Sequence, residues 1–303
     1  MNEMELFKEE LNKRTQEINE RIAAYLPKEQ GLQKTVLEAM NYSMNAGGKR
    51  LRPMLMQEIS RLFTGEVLDV VEPFMAAIEM IHTSSLVHDD LPCMDDDRMR
   101  RGKASTWAEF GEDMGVLAGD ALMIYAFETA SKAFEKAEGE AGVRAVGHAM
   151  QILARKTGIF GMIGGQTADV ELSGSAIKKS DLDFIYRLKT GALLEASMMI
   201  GAVLVGAADE DCKVVERLAS RVGLAFQIQD DILDVTGKSE ETGKSTGNDA
   251  RSAKTTYVTL EGVEQAKKEV AKLSEQAIED LGQLPGDNEF LEKLIRVLVS
   301  RKK

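Results

Sequence analysis

The chain has too little of several things to be most kinds of protein. Two cysteines, Cys93 and Cys212, in 303 residues cannot staple a secreted scaffold, and the N-terminal residues are charged where a secretory leader is apolar, so a reducing cytoplasm is expected. Five prolines leave long stretches free of the residue that breaks helices. No apolar run reaches the roughly 18 residues that mark a membrane span. The longest, 192–208, carries Glu195 and reads as a buried helix, so no integral membrane segment is expected. Basic residues are outnumbered 38 to 50, a net charge of -12, and nucleic acid would be repelled except at a local basic patch. Biased linkers, short repeats and low-complexity tracts are missing too, which favours a single domain over residues 1–303.

What is present is helical. Sixteen methionines and apolar residues spaced by three and four predict helices over 5–25, 32–44, 54–62, 73–90, 105–137, 141–172, 180–206, 212–235, 259–281 and 287–298. Ser180 with Asp183 looks like a capping box, Asp287 like a cap, and glycines 158, 161, 164 and 165 permit a bend. Strand signals are weak, and the fold class expected is all-α.

Two acidic clusters carry the chemistry. HDDLPCMDDD places Asp89, Asp90, Asp95, Asp96 and Asp97 within nine residues, where mutual repulsion would be reversed by a hard cation with oxygen ligands; alone, it could equally be a solvated acidic turn. Asp89 and Asp95 would lie on different faces of an ideal helix. Pro92 should end that helix near Leu91 and let Asp95 fold back towards Asp89. In LAFQIQDDILDV, a spacing of four puts Asp230 and Asp234 on one helical face, and burying these carboxylates beside Leu224, Phe226 and Ile232 requires a metal or a basic partner. Basic groups alternate with the clusters: GGKRLRP at 47–53, Arg98, Arg100 and Arg101, then Lys189, Lys238, Lys244 and Lys254. Arginines can grip phosphate bidentately and lysines as point charges. Mg2+ held by such carboxylates keeps open positions for phosphate oxygens, and the whole makes a cradle for a diphosphate. TGKSTG at 242–247 is a poor phosphate loop, since no strand precedes it and its glycine spacing is wrong. His82, His88 and Cys93 do not make a closed zinc site, because the histidines fall on different faces.

GGKRLRP, IHTSSLVHDDLPCMDDDRMRRG at 81–102, FGED at 110–113, AGDAL at 118–122, GGQTAD at 164–169, KTGALLEAS at 189–197, FQIQDDILDV at 226–235 and KTTY ending at 257 together resemble the trans-prenyl diphosphate synthases, especially short-chain farnesyl and geranylgeranyl diphosphate synthases of the bacterial kind. The resemblance implies a single-domain isoprenoid synthase fold of long antiparallel helices around a deep central cavity, a homodimer, and Mg2+ as cofactor, three ions in the substrate-bound state. It implies condensation of isopentenyl diphosphate with allylic diphosphates. By the same match Asp89, Asp95 and Asp230 are the metal ligands, with Asp90 a catalytic member of the first motif. Lys49, Arg52, His82 and Arg101 correspond to the isopentenyl site, and Arg100, Lys189, Thr190, Gln227 and Lys244 to the allylic site. Gln166 and Asp169 resemble residues lining the catalytic region. Thr190 Oγ1 and Gln227 Oε1 are candidates to direct negative dipole ends at a carbocation. Ser84, where an aromatic is common in farnesyl synthases, cannot close the elongation cavity; with Ile81 and Ser85 it is the candidate control of chain length, and a C20 product fraction is expected. A class I terpene cyclase and a non-catalytic subunit of a heteromeric synthase are the alternatives, the first opposed by the second basic site and the second by two intact aspartate motifs.

Overall fold

The computed structural model describes residues 2–236 and 255–300. Its chain contacts gather into two compact units, Met1–Gln57 with Val67–Met150, and Glu58–Glu66 with Gln151–Lys303. Helices dominate both, as the periodicity predicts, and they are long and mostly antiparallel, as the resemblance implies.

In the first unit lie α1 (Glu3–Ala23), α2 (Lys34–Met44), the start of α3 (Leu51–Thr64), α4 (Glu72–Asp89), α5 (Thr106–Phe110) and α6 (Glu112–Ser131). Helix α1 begins where Asn2 Oδ1 accepts the Glu5 amide at 2.9 Å and the Glu5 carboxylate accepts the Asn2 amide at 2.8 Å, a reciprocal cap. Helix α4, packed chiefly on α6, buries nearly all its circumference: Phe74, Ile78 and Ile81 have no exposed surface. Each such side chain contributes about 1.5–3 kcal/mol. Polar residues on so enclosed a helix need internal partners, and Glu79 finds Arg50 while Ser84 finds the Gly119 carbonyl.

Two departures from expectation occur here. A two-stranded antiparallel hairpin, β1 (Met99–Arg100) with β2 (Lys103–Ala104), sets Met99 opposite Ala104 and Arg100 opposite Lys103. The turn is Arg101–Gly102, with φ +53° and +79°, the positive pair that suits a two-residue hairpin. Strands of two residues are too short to show alternation. The helix expected over 105–137 is instead α5, α6 and a 3-10 turn (Lys132–Lys136), interrupted at Gly111, whose φ of +96° lies outside the helical region.

In the second unit, α11 (Asp209–Thr236) packs on α10 (Ala192–Leu204) and on the helix Val263–Leu281. Twelve of the 13 residues of α10 are buried, as the apolar run predicts, and its Glu195 is ion-paired to Lys156. The expected 141–172 helix is two, α7 (Gly139–Thr157) and α8 (Met162–Glu171), with the chain turning through the glycine cluster between them. Ser180 is not the cap of α9 (Lys179–Ile185); Asp181 Oδ2, a charged and therefore stronger acceptor, takes the Lys178 amide at 3.1 Å. Between α9 and α10 the chain widens into a π-turn, Tyr186–Gly191. Gly165 of α8 lets this turn approach, because a Cβ there would stand 2.1 Å from the Lys189 amide nitrogen. Among the described residues no helix is long and apolar enough to cross a membrane.

Candidate functional site

The first acidic cluster begins where α4 stops. The Asp95 amide donates to the Asp89 carbonyl at 2.9 Å and the Asp96 amide to the Leu91 carbonyl at 3.1 Å, so the return expected from Pro92 takes place. Asp95, Asp96 and Asp97 are exposed and Asp89 is half-buried, whereas Asp90 is 2% exposed. Arg100 grips Asp90, its Nε reaching Oδ1 at 3.0 Å and Oδ2 at 3.2 Å, with Nη2 bonded as well. Burial pushes the Asp90 carboxyl up against the pull of Arg100. Burial also opposes the Arg100 charge, but the bond to Asp90 outweighs it and leaves that guanidinium more firmly protonated than usual.

Beside this cluster stands the basic group. Arg50, buried and at φ +47°, sends its guanidinium inward to Asn19 Oδ1 (2.7 Å), Glu79 Oε1 (2.8 Å) and the Met44 carbonyl (2.7 Å). It therefore anchors the 47–53 segment. Arg101 donates to the Gly47 carbonyl, and its Nη1 lies 2.7 Å from where a Cβ of Gly48 would stand, so the second glycine of GGKR makes room for a guanidinium. Arg52 Nε is buried without a partner, and burial, then the charge of Arg101, draws the Arg52 pKa down to about 10. His82 is driven well below its ordinary value by burial and then by Arg52, Arg101, Arg50 and Arg100. Arg52, His82 and Arg101 thus lie near one another, and Lys49 is exposed on the connecting loop. Glu79, their buried counter-charge, was not among the sequence candidates; a glutamate inside a helix as apolar as α4 was the available signal.

The second cluster lies within α11. Asp230 and Asp234 are half-buried and Asp231 is 3% exposed. Asp231 Oδ2 accepts the Tyr186 hydroxyl at 2.5 Å and the Tyr257 amide at 2.8 Å. Among the described residues a hydroxyl and a backbone amide thus meet part of the cost of its burial. A cavity of about 230 Å3 adjoins it, lined among others by Asp169, Tyr186, Lys189, Thr190, Gln227 and Thr256. Lys189 Nζ is ion-paired to Asp169 Oδ2 at 2.5 Å, and Thr190 Oγ1 donates to Gln227 Oε1 at 2.8 Å. Tyr186 and Tyr257 were missed because partners 45 and 26 residues away from Asp231 leave no local pattern.

Ser84 is fully buried with its hydroxyl on the Gly119 carbonyl of α6 at 2.8 Å; Ile81 is fully buried, and Ser85, half-buried, donates to the His82 carbonyl at 2.8 Å. Lys244, with Lys238, Lys254 and the TGKSTG segment, lies outside the described residues. Among the described residues no three His, Cys, Asp or Glu side chains form a ready metal cage. The donors still suit Mg2+, which takes one or two carboxylates together with substrate phosphates, and the Asp89–Asp95 return supplies hard oxygen ligands open to solvent.

Comparison with known proteins gives a consistent picture. The polyprenyl synthetase profile matches residues 33–295. The chain is 46% identical over 247 residues to the chloroplastic geranylgeranyl pyrophosphate synthase of Catharanthus roseus, spanning 81% of this chain and 68% of that one. A solved FPP/GFPP synthase from Zymomonas mobilis matches with a TM-score of 0.84 and 32% identity over 97% of this chain and 99% of that one. A geranyltransferase from Helicobacter pylori, solved with magnesium and isoprenyl diphosphate, matches with a TM-score of 0.81 and 30% identity over 95% of each chain.

Proposed function

Because the chain belongs to the polyprenyl synthetase family, we propose that it is a short-chain trans-prenyltransferase that condenses isopentenyl diphosphate with allylic diphosphates, dimethylallyl, geranyl and farnesyl, to give farnesyl and geranylgeranyl diphosphate plus diphosphate. The observation that carries this reading is the return of Asp95 onto Asp89 in the same unit as the half-buried Arg52 and His82 and the exposed Arg101. Oxygen ligands suited to a cation and basic groups suited to a diphosphate come from residues 49–101 of that unit, which supports the reading. That the profile runs through both compact units supports residues 1–303 as one domain.

In this reading Asp89, Asp95 and Asp230 hold Mg2+, which when bound neutralises charge gathering on the leaving diphosphate. Arg100 and Lys189 hold oxygens of the allylic diphosphate as its carbon–oxygen bond breaks, and Lys244 joins them. Thr190 Oγ1 and Gln227 Oε1, mutually hydrogen-bonded, direct negative dipole ends at the allylic cation. Lys49, Arg52, Arg101 and a neutral His82 fix isopentenyl diphosphate, whose double bond attacks the cation to form the new carbon–carbon bond. A proton then leaves the adduct for the departing diphosphate. Product length is assigned to C20 in substantial part, on the small Ser84 facing α6, with Ile81 and Ser85 flanking it, and on the likeness to a geranylgeranyl pyrophosphate synthase. The two unbridged cysteines support a cytoplasmic enzyme, and the resemblance supports a homodimer.

Radiolabelled isopentenyl diphosphate with each allylic starter and Mg2+, resolved by chain length after the diphosphates are removed, tests the reading. C15 and C20 products are expected, abolished by chelation and restored by Mg2+. Full turnover after exhaustive chelation would refute the metal assignment, and exclusive C15 would refute the length assignment alone.

A further inference from the structure

We propose that Asp231 is a positioning residue that fastens the π-turn carrying Lys189 and Thr190 to the segment Thr255–Tyr257, thereby setting the wall of the 230 Å3 cavity. The proposal rests on the reading above and deepens it. One oxygen, Asp231 Oδ2, receives both the Tyr186 hydroxyl and the Tyr257 amide. Tyr186 opens the π-turn, and Lys189 and Thr190 follow it within that same turn. Tyr257 directly follows Thr255 and Thr256, both of which line the cavity.

The attachment is stiff at each end. Tyr257 is 1% exposed, Lys179 Nζ stands 4.8 Å from its ring centroid, and the Thr256 side chain caps the helix that begins there, accepting the Thr259 amide at 3.2 Å. On the other side, α8 presses Gly165 against the Lys189 amide, and Asp169 from the same helix holds the Lys189 ammonium. A π-turn is poorly stabilised by its own backbone and tolerates several paths. A charged oxygen accepting two donors selects one of them, because charge-assisted bonds are roughly twice as strong as neutral ones. Asp231 thus serves the candidate diphosphate contacts through Tyr186 and Tyr257.

The test compares Asp231→Asn, Asp231→Ala and Tyr186→Phe with Asp230→Asn in the full-length chain. Helicity is checked first, then kcat, KM for the allylic diphosphate, the Mg2+ concentration giving half-maximal rate, and calorimetric binding of inorganic diphosphate at fixed Mg2+. Asp231→Ala should lower kcat/KM about 100-fold, mainly through KM. Asp231→Asn, which retains an acceptor for the Tyr257 amide, should recover to within about tenfold, and Tyr186→Phe should lose about fivefold. None should move the Mg2+ requirement beyond about twofold, whereas Asp230→Asn should raise it about tenfold. An Asp231→Asn enzyme whose Mg2+ requirement rises as that of Asp230→Asn does would make Asp231 a metal ligand and overturn the proposal. So would Asp231→Asn and Tyr186→Phe both staying within about twofold of wild type in every parameter, and this pair decides if Asp231→Ala does not fold. If the wild type transfers no prenyl group, the reaction assigned above falls. Calorimetry then judges the fastening by itself: weaker diphosphate binding in Tyr186→Phe and Asp231→Asn sustains it, and unchanged affinity overturns it.

Discussion

Among the described residues the two aspartate motifs set the same kind of side chain in different surroundings. In the first, helix α4 has to end before the carboxylates can meet, and the one buried member, Asp90, is neutralised by a cation, Arg100. In the second, α11 runs through Asp230 to Asp234 unbroken, and the one buried member, Asp231, is met by a hydroxyl and an amide. Each Asp–Asp pair therefore has a member turned into the protein and a member more accessible to an ion. Breaking the helix allows exposed carboxylates to gather around a loop but leaves a buried charge that needs a countercharge. Keeping the helix makes the spacing automatic and shifts the demand to donors from distant elements.

The largest expected effect treats the two motifs as equals. Asp89→Ala and Asp230→Ala should each lower turnover by several orders of magnitude with helicity retained, since in the proposed reading both act on charge that develops during ionisation. A rate within about tenfold of wild type for one of them, at saturating metal and substrates, would break the equivalence. Next comes the basic side of the first unit. Arg52→Ala and Lys49→Ala should raise KM for isopentenyl diphosphate by about 10–100-fold and change the allylic KM much less; separate titrations check this, and equal losses would assign both residues a shared or structural role.

Stability compares the Arg100–Asp90 ion pair with the Tyr186–Asp231 hydrogen bond. Arg100→Ala strands the buried Asp90 and should cost about 2–3 kcal/mol in urea unfolding, against about 1 kcal/mol for Tyr186→Phe. Combining Arg100→Ala with Asp90→Asn should recover most of that loss. An effect of similar size is expected in pH. His82 is held below its ordinary value of 6.5, so below about pH 6.5 the unfolded chain takes up a proton that the folded chain refuses. Its contribution to stability is complete above that pH and falls as the pH drops towards the folded value, with a slope of up to about 1.4 kcal/mol per pH unit. His82→Gln should flatten this part of the urea midpoint curve between pH 7 and 5.

Features governed by nearby residues were legible before the structure. Pro92 foretold the return of Asp95, the apolar run foretold buried α10, and the spacing of four foretold one face for Asp230 and Asp234. What sequence did not show was pairing at a distance. Glu79 with Arg50, Lys189 with Asp169, and Asp231 with its two tyrosines are joined by the packing of helices, and helical periodicity does not encode which partner a buried charge meets. Three local features were also missed: the hairpin at 99–104, the interruption at Gly111, and the π-turn. Each is a short interruption inside a longer pattern, and a periodic reading averages over it.

Arg101 has a consequence for how this chain can change. Its φ of +53° places a bulky side chain in a backbone region that costs about 1–2 kcal/mol, most of which glycine would recover. If Arg101 grips phosphate as proposed above, heat and substrate binding exert opposite selection on this codon. A library screened only for thermal survival should accumulate Arg101→Gly, gaining a calmer turn and discarding the guanidinium that Gly48 leaves room for. Variants recovered under substrate selection should keep arginine and find their added stability elsewhere.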